Sequence, residues 1–308
     1  MPLAPRRPAP RARPWFFHLL LVAALASGLP ACSSGDDGEP GSPAGPSGPP
    51  APGQPVVYTA LGASDAMGIG ASTVCVPFTA CPDGTGYVPT VARELGDAGA
   101  EVTLRNLGLP GAVLSPEVQQ LGNSIGVGRD TNMLQQQMPF VPRESTLVTI
   151  LAGGNDVNTI ATAVDRGAAG SGDPNAFLDQ HVQRFAADMV TLVRGVRQRA
   201  PSARLIVLNL PNLAALPYAR GLPTAERRWM QRLAVGFADS ANALVRENAT
   251  VVDLLCDPRS YQGANYSSDG FHPNDAGYAY LAEEVLAVVR AGGGPAPAAD
   301  CAQRRLVN

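Results

Sequence analysis

The chain has 308 residues, 45% of them hydrophobic and 16% charged, and a formal net charge of −3. This length and composition suit one globular domain with a sizeable core, and they are too small for two large domains once the N-terminal segments are set aside. A mildly acidic chain without a basic patch argues against nucleic acid and anionic lipid as electrostatic partners.

The N-terminal segment has the pattern of an export signal. Four arginines precede an apolar run over residues 15–26, and small residues and Cys32 follow it. The run is too short to span a bilayer comfortably. The segment Leu29-Pro30-Ala31-Cys32 resembles a bacterial lipobox, in which the cysteine is acylated and becomes the mature N-terminus. We therefore predict a lipoprotein signal peptide over residues 1–31 and a protein anchored in the cell envelope by lipid at Cys32. The alternatives are a soluble secreted protein cleaved nearby and an uncleaved anchor.

The segment after the lipobox is expected to act as a tether. Residues 33–54 consist almost wholly of Ser, Gly, Pro, Asp, Glu and Ala. Such a composition cannot bury enough apolar surface to offset the entropy lost on ordering. We therefore predict a tether over residues 32–54 and a folded domain over residues 55–308.

Within the folded domain, short apolar segments alternate with helical patterns. The predicted strands are residues 56–61, 102–106, 146–151, 204–209 and 250–254. The predicted helices are residues 86–98, 174–200, 223–248 and 273–291. Because the strands are nearly continuous apolar runs, we expect a parallel sheet that is buried on both faces. The alternation predicts an α/β fold with right-handed crossovers.

Four cysteines lie in the folded domain, an even number that favours two disulfides in an exported chain. No histidine lies near Cys75 or Cys81 in sequence, which disfavours a metal site there. We prefer the pairing Cys75–Cys81, which closes a short local loop, together with Cys256–Cys301. The sequence leaves the other two connectivities open. The Gly-, Pro- and Ala-rich tail after Gly292 is expected to be held only by the second disulfide.

Polar and glycine-rich segments follow four of the predicted strands, at the sheet edge where open α/β sheets gather their reactive groups. They are residues 62–65, 106–111, 153–156 and 269–273. Of the three histidines, His18 lies in the signal peptide and His181 lies beside the apolar stripe of a predicted helix. His272 lies in a polar loop three residues after Asp269 and just before a proline, so it is the preferred candidate for a catalytic base.

The other three segments supply the remaining groups that serine acyl transfer needs, namely a nucleophile and donors to an oxyanion. Ser64 directly follows the first strand. Asn155 follows two glycines, which leave its amide free to donate, and Gly111 offers a backbone N–H with no side chain in the way. Each pattern taken alone is also typical of an ordinary turn.

In order and spacing, these segments resemble the motif blocks of the SGNH (GDSL-like) hydrolases over about residues 55–292. The resemblance implies a three-layer α/β/α sandwich with a five-stranded parallel sheet, of the flavodoxin-like kind, and neither cofactor nor metal. It implies that Ser64 is the nucleophile and that His272, oriented by Asp269, is the general base and then the general acid.

The resemblance also implies an oxyanion hole made of the Ser64 N–H, the Gly111 N–H and the Asn155 side chain. One position departs from the family pattern, because Gly-Asp-Ser is Gly-Ala-Ser here, with Ala63 for the aspartate. That departure puts the geometry of the loop in question more than the activity. The inserted segment 75–86 is expected to form one wall of the substrate cleft.

The expected function is that of an extracytoplasmic carboxylesterase that works through an acyl-enzyme. Its expected partners are a small ester or an acylated saccharide as substrate and the membrane through the N-terminal lipid alone. The alternatives are a polysaccharide O-acetyl esterase, a lysophospholipase and a non-catalytic surface-binding lipoprotein that has kept the fold. The presence of all five expected site residues argues against the last of these.

The sequence around the motifs also suggests the character of the cleft. Polar loops are predicted at residues 156–159, 165–173 and 260–268, and no segment stands out as an apolar lid. We therefore expect a shallow polar cleft that favours acetyl or butyryl esters over palmitoyl esters, without activation at a lipid interface.

Overall fold

The computed structural model describes residues 48–79 and 81–307. The predicted signal peptide, Cys32 and the tether up to residue 47 lie outside the described residues, so these assignments stay predictions. At the end of the tether, the Gly53 N–H donates to Gly99 O at 2.8 Å and the Glu101 N–H donates to Gln54 O at 3.1 Å. These bonds attach the start of the domain to the loop before its second strand.

Five parallel strands form one sheet, in the order β2-β1-β3-β4-β5. They are β1 (Pro55–Leu61), β2 (Glu101–Asn106), β3 (Leu147–Leu151), β4 (Arg204–Leu208) and β5 (Thr250–Val252). Every residue of β3 and β4 is buried, as the apolar runs predicted. The edge strand β2, which pairs with β1, alternates between exposed and partly buried residues up to Arg105 and ends at the buried Asn106.

Helices cover both sides of the sheet. They are α1 (Ser64–Met67), α2 (Tyr87–Asp97), α3 (Pro116–Ser124), α4 (Met133–Gln136), α5 (Gly154–Asp165), α6 (Pro174–Arg199), α7 (Thr224–Asn242) and α8 (Asp275–Ala291). Helix α2 packs against α8, while α7 packs against both α5 and α6. The predicted three-layer α/β/α sandwich with a five-stranded parallel sheet is therefore confirmed.

The boundaries of several elements differ from those predicted. Helix α7 ends at Asn242 and continues as a 3₁₀ turn over Ala243–Glu247. Helix α8 begins at Asp275 and not at Pro273, because the Asn274 side chain caps it by accepting the Gly277 N–H at 3.1 Å. Helices α3 and α5 had no counterpart among the predicted helices. Residues 156–159, predicted as a loop, lie inside α5.

The two disulfides join Cys75 to Cys81 and Cys256 to Cys301, the pairing preferred from the sequence. The expectation that the second bond alone holds the C-terminal tail is wrong. Arg304 pairs with Asp239, and the Val307 N–H and C=O both bond the Gln231 side chain, at 2.9 and 2.8 Å. Val307 is itself buried, so packing as well as the disulfide fixes the tail.

Candidate active site

The carboxyl ends of the strands bring the four polar segments to one edge of the sheet. The turn after β1 is held by Gln137, a fully buried residue just after α4. The Gly62 N–H donates to Gln137 Oε1 at 3.0 Å, and Gln137 Nε2 donates to Gly62 O at 2.8 Å. Asn106 holds α1, the short helix that begins at Ser64, because its Nδ2 donates to Ala66 O at 2.6 Å. Both ends of the turn that carries Ser64 are therefore fixed from neighbouring segments.

Ser64, His272 and Asp269 form one hydrogen-bonded chain. Ser64 Oγ lies 2.8 Å from His272 Nε2, and His272 Nδ1 lies 2.6 Å from Asp269 Oδ2. With the proton on Nδ1, the imidazole donates to the carboxylate and leaves Nε2 to accept from the serine hydroxyl. This is the order of groups that a serine nucleophile, its base and the orienting acid require.

Asp269 is held as a carboxylate by its neighbours. Its Oδ1 accepts the Phe271 N–H at 2.8 Å, the His272 N–H at 2.9 Å and the Ser267 hydroxyl at 2.9 Å. Partial burial raises the pKa of Asp269, but the bonds from the His272 ring and from these donors outweigh it and lower the pKa to about 2. Asp269 is therefore a carboxylate at neutral pH. Ser267 was not identified from the sequence.

Gly111 and Asn155 lie on two segments that are joined by a hydrogen bond. Gly111 has φ of +73°, a left-handed conformation that favours glycine. Asn155 is the second residue of helix α5, and its Nδ2 donates to Ala112 O at 3.0 Å, which ties it to the residue after Gly111. The backbone N–H groups of Ser64 and Gly111 have no hydrogen-bond acceptor within the described part of the chain. Both are therefore free to donate to a substrate oxygen.

Arg129 is a further residue beside this site that the sequence did not reveal. Its Nη1 donates to Asn155 Oδ1 at 3.3 Å, and its Nε donates to the Thr159 hydroxyl at 2.9 Å. A Cβ placed on Gly111 would lie 3.7 Å from Arg129 Nη1, so the guanidinium lies close to both segments. The bond to Oδ1 orients the Asn155 amide with its N–H₂ group on the side of Ala112.

Asp156, next to Asn155, is a buried carboxyl group that joins the same two segments. Its Oδ1 accepts the Leu114 N–H at 2.9 Å, while its Oδ2 has no partner among the described residues. Burial raises the pKa of Asp156 to about 7, against the lowering effect of the Leu114 bond and of Arg129. Asp188 on α6 raises it further.

His181 lies in α6, as predicted, and not in the triad. It is buried, and its ring meets Phe177 edge-on with the ring centroids 4.6 Å apart. Burial lowers the pKa of His181. Among the described residues no group of three or more His, Cys, Asp or Glu side chains is arranged to hold a metal ion.

The surroundings of the triad are more apolar than the sequence suggested. A cavity of about 70 Å³ adjoins the segments that carry Ser64 and His272, and its walls include Leu151, Leu210 and Phe271. The carboxyl of Asp65 also lines it, and burial raises the pKa of that group. On the inserted segment after α1, Val74, Val76 and Phe78 are exposed. The cavity wall is therefore largely apolar where the sequence predicted a shallow polar cleft, and the preference for acetyl or butyryl esters stays a prediction.

Comparison with known proteins agrees with this geometry. Residues 60–280 match the model of the GDSL-like Lipase/Acylhydrolase family. The fold is similar to that of the extracellular lipase from Streptomyces rimosus, with 19% identity and a TM-score of 0.50 over 75% of this chain and 99% of that one. It is also similar to the lipase Lip_vut3 from a goat rumen metagenome, with 20% identity and a TM-score of 0.51 over 78% and 98% of the two chains.

A third similar structure is phospholipase A1 from Streptomyces albidoflavus NA297, with 19% identity and a TM-score of 0.50 over 75% of this chain and 98% of that one. At these identities the likeness establishes the fold. No curated protein sequence matches the chain. Within residues 48–79 and 81–307, no helix has both the length and the apolar character needed to cross a bilayer.

Proposed function

Because the chain belongs to the GDSL-like lipase/acylhydrolase family of ester hydrolases, we propose that it is a carboxylic ester hydrolase with Ser64 as its nucleophile. The observation that carries the proposal is the hydrogen-bonded chain from Ser64 through His272 to Asp269, at 2.8 and 2.6 Å. All three groups belong to segments at one edge of the sheet. The proposed reaction is acyl transfer through an acyl-enzyme.

In the first step, Ser64 Oγ attacks the ester carbonyl carbon while His272 Nε2 takes the hydroxyl proton. The imidazolium that forms is stabilised by Asp269, whose low pKa keeps it anionic. His272 then gives the proton to the leaving alcohol oxygen, and the carbonyl re-forms as the acyl-enzyme. Water, deprotonated by the same nitrogen, attacks the acyl carbon. The second tetrahedral intermediate then breaks its bond to Ser64 Oγ, which takes the proton back from His272 Nε2, and the acid is released.

The oxyanion that forms in each tetrahedral intermediate is proposed to accept from Ser64 N–H, Gly111 N–H and Asn155 Nδ2. The free backbone donors and the tie from Asn155 to Ala112 support this assignment. A donor of this kind is typically worth about 2.7–4 kcal/mol of transition-state stabilisation. Arg129 supports the third donor by fixing the Asn155 amide.

We place this activity outside the cytoplasm, with the domain tethered through residues 32–54 to a lipid on Cys32. Two disulfides within the domain support an oxidising compartment. If Cys32 is acylated, the protein partitions with membranes and Cys32→Ser leaves it soluble or unprocessed. A wholly soluble wild type with a mature N-terminus elsewhere would contradict the anchor and leave the activity untouched.

The test of the catalytic proposal is labelling with a fluorophosphonate, which reacts with an activated serine. We expect the wild type to be labelled at Ser64 and to hydrolyse p-nitrophenyl acetate, while Ser64→Ala does neither. Ser240→Ala is a matched control, because Ser240 lies on α7 and, among the described residues, its hydroxyl donates only to Gly236 O. A correctly folded wild type that is neither labelled nor active would favour the non-catalytic alternative.

A further inference from the structure

Two hydrogen bonds join the segment that carries Gly111 to the first turn of helix α5. Asn155 Nδ2 donates to Ala112 O at 3.0 Å, and the Leu114 N–H donates to Asp156 Oδ1 at 2.9 Å. The two bonds come from adjacent residues of α5 and end on residues that closely follow Gly111 in the chain. Together they fix the position of the Gly111 N–H relative to the Asn155 amide.

The carboxyl group of Asp156 is fully buried and only half satisfied. In the described part of the chain its Oδ2 has no hydrogen-bond partner, and the buried hydroxyl of Ser115 has none either. Both residues line a cavity of about 10 Å³, which has room for about one water. A buried carboxylate with an unpartnered oxygen is much costlier than the neutral acid. Burial therefore favours the protonated form of Asp156.

Two charged side chains act on this carboxyl from opposite sides of the balance. Arg129 favours the ionised form, and Asp188 on α6 disfavours it. Burial is the largest influence, and with these charges it raises the pKa of Asp156 to about 7. Asp156 therefore changes its charge in the pH range where the enzyme is expected to work.

Three further ionisable side chains line the same cavity, namely Glu117 on α3 and His181 and Arg184 on α6. Glu117 and Arg184 form an ion pair, so their charges largely cancel. His181 is buried, and burial lowers its pKa. It is therefore mainly uncharged at the pH where Asp156 ionises.

We propose that Asp156 is a positioning residue of the oxyanion hole, which acts as a neutral acid and weakens the hole when it ionises. The inference rests on the proposed esterase function. The neutral group holds the Leu114 N–H and places no charge beside Asn155. The ionised group puts a negative charge next to the donors where an oxyanion forms, and two negative charges repel strongly in a buried setting. It also leaves Oδ2 as a buried charge without a donor, which loosens the contact between the two segments.

The experiment measures kcat and KM for p-nitrophenyl acetate from about pH 5 to about pH 9, in the full chain. Asp156→Asn keeps an acceptor for the Leu114 N–H and does not ionise. Asp156→Ala removes the acceptor altogether. The matched control is Asp165→Asn, which removes a carboxylate from an exposed position of the same helix.

We expect the wild-type kcat to fall roughly tenfold as the pH rises above 7, in step with the ionisation of Asp156. Asp156→Asn should keep the wild-type maximum and lose this alkaline fall, and Asp165→Asn should keep both. Asp156→Ala should lower kcat by about tenfold or more at every pH, with little change in KM. The proposal is overturned if Asp156→Asn retains the alkaline fall, or if a folded Asp156→Ala has the wild-type kcat.

The two charged neighbours of Asp156 should move the alkaline fall in opposite directions. Asp188→Asn removes a charge that raises the pKa of Asp156, so the fall should move to lower pH. Arg129→Met removes a charge that lowers this pKa, so the fall should move to higher pH, on a lower kcat because Asn155 loses a hydrogen bond. A purely structural role for Asp156 predicts neither shift, and finding both variants unshifted would contradict the proposal.

The proposed function and this inference fail in different ways. A wild type that hydrolyses the ester without an alkaline fall contradicts the role of Asp156 and leaves the esterase intact. A wild type that is inactive at every pH contradicts the esterase. Infrared difference spectra between about pH 6 and about pH 8 then test Asp156 alone. Loss of a protonated-carboxyl band in the wild type, absent from Asp156→Asn, supports the neutral acid, and no difference between the two proteins overturns it.

Discussion

Gln137 and Gly62 form a reciprocal pair of hydrogen bonds directly before the candidate nucleophile. The Gly62 N–H donates to Gln137 Oε1 at 3.0 Å and the Gln137 amide donates back to Gly62 O at 2.8 Å. The Gln137 side chain is fully buried, so water cannot replace either bond. The position of Ser64 thus depends on a residue 73 positions away in the sequence.

Replacing Gln137 by alanine should lower both stability and turnover. Two buried backbone groups lose their partners at a typical cost of about 1–3 kcal/mol each, so we expect a loss of roughly 2–6 kcal/mol in the free energy of unfolding. Because the nucleophile turn loosens, kcat should fall more than KM rises. Chemical denaturation and steady-state kinetics measure both effects. Gln135→Ala, a neighbouring change with no bond to Gly62, is the control for the loss of kcat.

The triad should behave as one unit. Ser64→Ala and His272→Ala should each lower kcat by about 10⁴-fold or more, and the double variant should be scarcely worse. Asp269→Asn should cost about 10³–10⁴-fold, because the amide favours the wrong imidazole tautomer. Burst and steady-state kinetics on p-nitrophenyl acetate measure these losses. Near-normal kcat in His272→Ala, together with its loss in His181→Gln, would show that the base had been assigned to the wrong histidine.

Asp156 should make stability depend on pH. Its folded pKa of about 7 lies above the ordinary 3.8, so folding favours the protonated form. The resulting stabilisation is fully present below pH 4 and is lost as pH rises towards 7. The difference between these pKa values corresponds to ~4 kcal/mol. Asp156→Asn keeps an acceptor for the Leu114 N–H and does not ionise.

Relative to wild type, the Asp156→Asn variant should therefore become more stable between pH 4 and pH 8, as measured by its free energy of unfolding. Denaturation at four pH values across this range measures the trend. Asp188→Asn serves for comparison, because Asp188 is one of the groups that raise the Asp156 pKa. A difference between wild type and Asp156→Asn that stays constant over the range would contradict the assignment.

Arg129 should influence the rate through Asn155. Removing the Asn155 amide with Asn155→Ala should lower kcat about 10²–10³-fold, the range expected for an oxyanion donor. Arg129→Met leaves the Asn155 amide present but removes the hydrogen bond that orients it. We therefore expect a smaller loss of kcat and little change in KM. Combining the two changes should add little beyond Asn155→Ala. Arg143→Met, at an exposed position, is the matched control. Fully additive losses would mean that Arg129 acts independently of Asn155.

The Cys256–Cys301 bond should stabilise the domain by constraining the unfolded chain. It spans 45 residues and encloses Asp269 and His272. Chain-entropy reasoning gives it on the order of 4 kcal/mol. A Cys256→Ser, Cys301→Ser double variant should unfold at lower denaturant concentration, while the packing of Val307 and the Arg304–Asp239 pair keep the tail docked. Proteolysis at the tail before global unfolding would show that these contacts do not hold it.

The sequence by itself determined the fold class and the candidate catalytic residues. The alternation of apolar strands with helical patterns predicted the parallel sheet, because hydrophobic periodicity can be identified from the local sequence. The segments with Ser64, Gly111, Asn155 and His272 were recognisable because their order and spacing after the predicted strands resemble those of the SGNH (GDSL-like) hydrolases. Parallel strands carry whatever follows them to one edge, so proximity of these segments follows from order along the chain.

The tertiary structure alone decided the residues that hold this site in place. Gln137 and Arg129 lie in segments without a motif, and their partners Gly62 and Asn155 are set by how segments distant in sequence pack. A hydrogen bond between side chains distant in sequence leaves no periodic pattern, so composition and spacing cannot reveal it. The helix α5 was missed for a related reason, because its polar first turn, which contains Asn155 and Asp156, reads as a loop.

The character of the surface near the site was likewise decided only in three dimensions. The sequence shows that Val74, Val76 and Phe78 are apolar, but apolar residues are usually buried, so it does not show that these three are exposed. Their exposure follows from the Cys75–Cys81 closure and from the bonds to Met67 and Asn106, which hold the loop outside the core. Local sequence sets which residues are apolar, whereas the packing of distant segments sets which of them remain in contact with water.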